Sequence, residues 1–512
     1  MCLVSISAFG GKMKTKKFLK KSISLIICLS IAVSALCLIP SVSAKEEYQG
    51  ENLDVPQIRV TTENGNGTTL QKEDGYVNAQ IEIKDTDETV LADAVTFKVR
   101  GNTTALSWVT KKAYTFKFAK KKNVLGMGSG KKWALLANAF DPTLLRNYTA
   151  FELARELGLE YTSNQKFCEL WVDGSFRGCY IIYEPVEEGK DRVNIDIESN
   201  DGKKDFLLEL EQRNDEEDVT YLTVDNKKIR FAFSEPEEPN EEQQAYVQGV
   251  MDDIVATIKS GNQEDIAQKI DVDSFVKYFL LNEFLKTHDF DRTSVYFYYK
   301  DGKLYAGPAW DYDLCAGNQN VDFDARAKKS ASPNDIFANV HLYKYLANYS
   351  WFNDMVTEVY RQHYDYITNI FADGGFLDTT YEQYKDIIDR NYNEAGWLIT
   401  KWWVNHIKKP LPTYAENYDF LKNWFVERNA WMKLHYKPFG ESYVIGDLNG
   451  DDSVDVIDAT LIQKYAAESA ALTPEQKLIA DVNNDNAVDA LDATDVQKFS
   501  TEKLENFKKK VI

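Results

Sequence analysis

Cysteine is scarce. Of six, Cys2, Cys28 and Cys37 fall in the first 44 residues, leaving Cys168, Cys179 and Cys315 for the rest. Three thiols are too few for a disulfide scaffold, so the chain must be held by an apolar core. Histidine is rarer still at five, and neither a His-Glu-x-x-His zinc motif nor a Gly-x-Ser-x-Gly nucleophile elbow occurs. Positive charge is also short, with 60 Lys and Arg against 80 Asp and Glu, a formal net charge of −20. Such a surface repels nucleic acid and anionic membranes, which excludes nucleic-acid partners, and it suits cation binding. After residue 44 no stretch approaches the roughly 20 apolar residues a membrane span needs.

What is present begins with an export signal. Met13-Lys14-Thr15-Lys16-Lys17 is a basic start, Ile23 to Ile39 is apolar, and Val42-Ser43-Ala44 offers small residues for cleavage; an uncleaved anchor is the alternative. The twelve residues before Met13 read as an upstream start. Cleavage would remove six lysines and no acidic residue, taking the charge to −26, and would place the protein outside the cell or at its surface. The remaining chain, in a sequence 44% hydrophobic and 13% aromatic, is long enough for one large domain and a smaller one. The expected division is 1–44 leader, 45–437 large domain, 438–443 linker and 444–500 small module.

The small module shows itself as a repeat. Asp447, Asn449, Asp451, Ser453, Asp455 and Asp458 stand at positions 1, 3, 5, 7, 9 and 12 of a loop, and Asp481, Asn483, Asp485, Ala487, Asp489 and Asp492 repeat the pattern 34 residues later. In both copies positions 1, 3, 5, 9 and 12 carry side-chain oxygens, and position 7 is free to offer its carbonyl. Calcium takes six to eight oxygens, and a 12-residue loop wraps them around it. Two merely acidic turns would not repeat one ligand pattern at a fixed offset. Asp452 and Asn486 replace the usual glycine at position 6; both types tolerate a left-handed backbone. A short apolar-striped helix follows each loop, and no convincing helix precedes either. These tandem loop-helix units, Tyr443 to Phe499, resemble a type I dockerin. The resemblance implies two calcium ions and docking onto a cohesin of a scaffoldin, as in cellulosomes, the complexes that degrade polysaccharides. The expected exposed contacts are Ala459-Thr460 and Gln463-Lys464 in one copy and Ala493-Thr494 and Gln497-Lys498 in the other.

In the large domain, alternating residues from Leu53 to about Val99 predict strands. Leu144 to Leu157, Gln243 to Ile258, a segment capped by Asp273, and a final stretch with Leu421, Trp424, Phe425 and Trp431 predict helices. Lys437-Pro438-Phe439-Gly440 reads as the linker. Gly126-Met127-Gly128-Ser129-Gly130-Lys131-Lys132 is a turn rather than a phosphate loop, because Leu125 and Lys132 break the Walker pattern. An Asp-Gly turn at Asp173-Gly174 would set Cys168 opposite Cys179 in a hairpin, where they could pair unless a bulge shifts the register.

The chemistry-bearing stretch runs from His288-Asp289 through Ser294, a hairpin, and Trp310-Asp311-Tyr312-Asp313. An Asp, a hydroxyl five residues on, a hairpin and a further Asp is the order of a protein-kinase site, where one carboxylate orients the attacking hydroxyl and others hold magnesium. Spacing alone equally describes a carboxylate cluster at a hairpin end. With Arg100-Gly101-Asn102-Thr103-Thr104, Trp133-Ala134-Leu135-Leu136, Leu145-Arg146-Asn147 and Gly178 to Glu184, these residues resemble the CotH family of spore-coat kinases across Leu53 to Tyr436. The resemblance implies an α+β, kinase-like fold binding ATP with magnesium or manganese and phosphorylating a protein. It makes Asp289 the catalytic aspartate, Asp311 and Asp313 metal ligands, Trp310 an adenine stack, and Lys112 with Glu184 a phosphate-side pair beside Arg100. Lys112 as an exposed strand-end lysine and Trp310 as a core aromatic are the plain alternatives. Ser294 stands where kinases place a metal-binding Asn. Two rival functions share these residues: a non-catalytic binding subunit, and a glycoside hydrolase with Asp289 and Asp311 as acid and base.

Overall fold

Alternation of apolar and polar side chains puts one face of each early strand inward, and closing those strands into a barrel hides that face completely. The computed structural model describes residues 55–85, 88–197, 205–213, 219–397, 406–440 and 443–509. The expected leader and its expected cleavage site lie outside them. Strands β1 (Gln57–Thr62), β2 (Val77–Asp85), β3 (Glu88–Arg100), β4 (Ala113–Asn123) and β5 (Ser129–Leu136) pair antiparallel in sequence order. β6 (Gln165–Val172) and β7 (Ser175–Tyr183) form a hairpin; β7 joins β5, and β6 runs parallel to β1 to close the barrel. Ile58, Ile81, Phe97, Phe116 and Trp133 fill it.

Between β5 and β6, helix α1 (Arg146–Glu156) crosses to the second half of the domain. There β8 (Phe206–Leu210), β9 (Tyr221–Val224), β10 (Ile229–Glu235) and the hairpin β11 (Val295–Lys300) and β12 (Lys303–Ala306) form an antiparallel sheet in the order β12-β11-β8-β10-β9. Helices α2 (Glu241–Ser260), α3 (Gln263–Lys269) and α4 (Val272–Leu285) lead into that hairpin. After it come α5 (Ala325–Ala331), α6 (Tyr343–Leu346), α7 (Ser350–Gln362), α8 (Tyr364–Phe371), α9 (Phe376–Asn393) and α10 (Tyr414–Tyr436). The protein is therefore α+β. α4 is apolar nearly all round and buried from Phe275 to Leu285 except at Lys277, as a helix inside a core must be. Its cap is Asp271, whose carboxylate accepts the Ser274 N–H at 2.8 Å, and the expected cap Asp273 lies in the first turn, paired with Lys277. Arg428 of α10 donates to Glu283 of α4 at 2.5 Å with both side chains fully buried, and Glu283 also accepts the Phe337 N–H at 2.9 Å. Removing either partner would strand a buried charge.

The two cysteines of the hairpin do not meet. Near the turn Val172 faces Ser175 as expected, but a bulge between Leu170 and Trp171 shifts the register, so Glu169 faces Cys179 and Cys168 faces Tyr180. Cys168 points into the barrel and Cys179 into the other core, and both are free thiols. Gly126 and Gly128, at φ 76° and 98°, form the turn between β4 and β5.

The C-terminal module contains α11 (Val456–Ala466), α12 (Pro474–Ala480) and α13 (Ala490–Ser500). α12 runs directly into the second loop, correcting the expectation that no helix precedes either loop. Leu448, Ile462, Val482 and Val496 form its small core, to which Leu434 of α10 contributes, so the module rests on the large domain's last helix. Among the described residues no helix is long and apolar enough to cross a membrane.

Candidate active site and calcium loops

α4 ends at Lys286 in a left-handed turn, and a short 3-10 turn, His288–Asp291, follows at once. That turn carries Asp289. The neutral ring of His288 is fixed by Ser330 at one nitrogen (2.8 Å) and by the Arg326 guanidinium at the other (2.7 Å), and Arg326 also pairs with Asp291. The β11–β12 hairpin then returns the chain to Trp310 and Asp311. Asp311 sits at φ 59°, a left-handed conformation that Asp and Asn tolerate best among side-chain-bearing residues. The Tyr312 N–H donates to Asn147 at 2.7 Å, while Arg146, in a buried 2.5 Å ion pair with Asp141, donates to the carbonyls of Cys315 and Ala316. The Leu145-Arg146-Asn147 stretch thus holds the loop bearing Asp311 and Asp313.

These elements surround a cavity of about 430 Å³ that takes in Asp289, Asp311, Asp313 and Arg100. Gly101 turns the chain after Arg100 at φ 92°, where a Cβ would meet Thr104 Oγ1 at 2.2 Å. The Arg100 guanidinium stands 5.4 Å from the ring centres of both Tyr183 and Trp310. The Trp310 ring, which lines the cavity, also packs against Tyr183 and Tyr296 and so helps hold Arg100 in the wall.

Two expected members are elsewhere. The Lys112 ammonium is buried and donates to the carbonyls of Ala105 at 2.9 Å and Leu106 at 2.6 Å, fixing the loop after the Arg-Gly-Asn turn. Glu184 accepts from the Asn164 backbone and side chain and faces Arg192. They form no pair, and neither lines the cavity. In their place are Glu209, Glu211 and Arg213, from β8 and the residues after it, which sequence reasoning missed. Glu209 accepts from the Ser294 N–H and the Tyr296 hydroxyl, each at 3.0 Å; Arg213 grips Glu211 with Nε at 3.0 Å and Nη2 at 2.6 Å. The signal was the alternation of Glu209 and Glu211 directly after the apolar Phe206-Leu207-Leu208, which puts both carboxylates on one face of a buried strand.

Of these carboxylates Asp289, Asp311, Asp313 and Glu209 resist ionisation. Burial and then the Asp311 charge push Asp289 up to about 6, against the pull of Arg326, Arg213 and Arg292. Burial raises Asp311, opposed by Arg100, Arg213 and a Ser294 hydrogen bond; burial, then Asp311 and Asp289, push Asp313 well above the carboxylate range. Glu209 rises to about 7, chiefly from burial. Among the described residues no three His, Cys, Asp or Glu side chains are placed to hold a metal ion by themselves. Magnesium commonly takes only one or two carboxylates and finishes its shell with water and phosphate, so crowded, underneutralised Asp311 and Asp313 fit such an ion.

In the C-terminal loops, Asp447 and Asp481 at position 1 and Asp458 and Asp492 at position 12 are buried. Asp447 accepts the N–H groups of Gly450, Asp451 and Asp452, and Asp458 those of Leu448, Asn449 and Asp455. Asp452 and Asn486 take the left-handed backbone expected of them, at φ 65° and 69°. Asn483 Oδ1, at position 3, is buried without a hydrogen-bond partner, and Asp492 is raised by burial and, in smaller part, by Asp481 and Asp485. An orphaned acceptor among crowded carboxylates fits a calcium ion, whose shell also draws on amide and backbone oxygens. Of the expected docking contacts, Thr460, Gln463, Lys464, Thr494 and Lys498 are exposed and Gln497 is half-buried, but Ala459 and Ala493 are buried between the helices, and Val456 (59%), Ile457 (53%) and Leu491 (61%) stand exposed on the first turns of α11 and α13.

A domain that gathers carboxylates and arginines at one cavity, followed by paired loops that fit calcium, defines a two-part protein. The chain belongs to the CotH kinase protein family, whose model matches residues 97–432, and the model of the dockerin type I domain matches residues 445–499. Type I dockerins bind calcium. A search of curated proteins found no match.

Calcium removal has a directed consequence. A chelator is expected to loosen residues 443–509, whose core is small, while the large domain stays folded. Circular dichroism and limited proteolysis check this; a module equally protease-resistant with and without chelator rules out calcium-dependent folding.

Proposed function

We propose that the large domain, 45–437, is an atypical kinase-like phosphotransferase moving phosphate from ATP to a protein. We propose too that the dockerin, 444–500, joined by 438–443, attaches it to a cohesin-bearing scaffoldin in a secreted, cellulosome-type complex. The observation that carries the first half is the meeting of Asp289, Asp311 and Asp313 with Arg100 and Arg213 at one cavity. Magnesium or manganese, held by Asp311 and Asp313, would neutralise phosphate charge. Asp289 orients the acceptor hydroxyl and takes its proton as the oxygen bonds the γ-phosphorus and ADP leaves. Arg100 and Arg213 supply the cationic contacts first assigned to Lys112. His288, Ser330 and Arg326 hold the turn that aims Asp289. The export signal in residues 1–44 and the dockerin support the location.

The test is thermal. ATP with Mg²⁺ or Mn²⁺ is expected to raise the melting temperature of the full chain, since a ligand at 100 times its Kd that binds only the folded state adds about 2.7 kcal/mol. The effect should depend on pH. Asp289 titrates near 6 when folded against an ordinary 3.8, so between those values the folded state holds a proton that the unfolded state has lost. Stability from this group therefore falls as pH rises through the window, and a cation at Asp311 and Asp313, which offsets the negative charge beside Asp289, binds more favourably once Asp289 is ionised. The shift should be larger at pH 7.5 than at pH 5. No shift at either pH would remove nucleotide binding and leave a binding subunit.

A further inference from the structure

The two loops are near copies in sequence, yet among the described residues only the second has a lysine folded onto it. The Lys509 ammonium stands 3.7 Å from Asp481 Oδ2 and donates to the Leu478 carbonyl at 2.6 Å, both side chains being about nine-tenths buried (10% and 8% exposed). The segment is held in place: the Lys509 N–H donates to the Val482 carbonyl at 3.2 Å, and Phe507 is buried against Phe499 with ring centres 4.6 Å apart. Asp481 is position 1 of its loop, and its two oxygens already receive the Asp485 and Asn486 N–H groups. Among the described residues no ion pair reaches Asp447, the same position of the first loop.

We infer that Lys509 sets the calcium affinity of the second loop, making it the weaker of the two sites by placing a fixed positive charge on one of its ligands. A divalent ion entering that loop meets an ammonium on Asp481 and must either bind against it or drive it out. Bound beside it, the ion is repelled; driving it out breaks the ion pair and the Leu478 hydrogen bond and loosens the tail anchored by Phe507. Both routes weaken binding at the second loop, and neither touches the first.

Calcium calorimetry on the full chain tests this, resting on the calcium reading of the loops. In an Asp447→Ala background the second loop reports, and in an Asp481→Ala background the first does. Lys509→Met is expected to tighten the second loop by roughly ten-fold and leave the first unchanged, while Lys509→Arg stays near the parent. Lys509→Gln, measured in parallel, separates loss of charge from a packing fault of methionine and should also tighten binding. Equal or weaker affinity in both neutral variants overturns the role of Lys509. Absence of calcium binding in the unsubstituted chain would instead overturn the calcium reading itself.

Discussion

Asp289→Asn and Asp311→Asn are each expected to abolish phosphate transfer while leaving the fold intact or more stable. Asparagine keeps the size and most hydrogen bonds of the carboxylate and removes only its charge. At Asp311 it also tolerates the left-handed backbone, φ 59°, that most other replacements would strain. Positioned acid–base groups contribute roughly 10² to 10⁴ in rate, so Asp289→Asn should fall by that factor; Asp311→Asn removes charge that the metal requires. Stability should move the other way. Asp289 is raised to about 6 because its ionised form is disfavoured by burial and by Asp311, so at pH 7.5 a neutral amide relieves a penalty. The measurement is transfer from labelled ATP to the chain itself, with the melting temperature alongside. Wild-type transfer in either variant removes that residue from the mechanism.

What was legible in the sequence was local. The calcium loops announce themselves because every ligand lies within twelve consecutive residues and the pattern recurs. Asp289, Asp311 and Asp313 were legible because one hairpin, closed by Asp301-Gly302, brings both ends of a short stretch together. Glu209 and Glu211 were not, because they reach the cavity only through β8 pairing with β11, some 85 residues later in the chain. Barrel closure was hidden for the same reason, resting on a parallel pairing of β1 with β6 across more than 100 residues. Lys112 misled because its pairing with Glu184 was carried over from the family resemblance alone. Only the fold reveals its ammonium spent on the Ala105 and Leu106 carbonyls. The cysteine pair failed at a single bulge, since one extra residue moves every later side chain out of register.

Docking gives the second large effect, and the structure changes which residues must be altered. A charge placed at Ala459 or Ala493 would enter the module's own core and unfold it, so those positions cannot report on a partner. Val456-Ile457 and Ala490-Leu491 can, because they stand exposed at the same point of α11 and α13, copies 34 residues apart. Glutamate is the suitable replacement, since a negative charge in a helix's first turn favours the helix. The copies are alike enough that turning the module over would offer a cohesin a similar apolar face. Val456→Glu with Ile457→Glu should therefore weaken binding by less than about ten-fold, the other copy remaining available, and Ala490→Glu with Leu491→Glu should do the same. All four together should weaken it on the order of a thousand-fold, because an unpaired charge buried at an interface costs roughly 2–5 kcal/mol and no clean face is left. Titration of the wild type, each single-copy variant and the combined variant against a cohesin that captures the wild-type chain decides the matter. If one single-copy change eliminates binding and the other has no effect, the module docks in one orientation only.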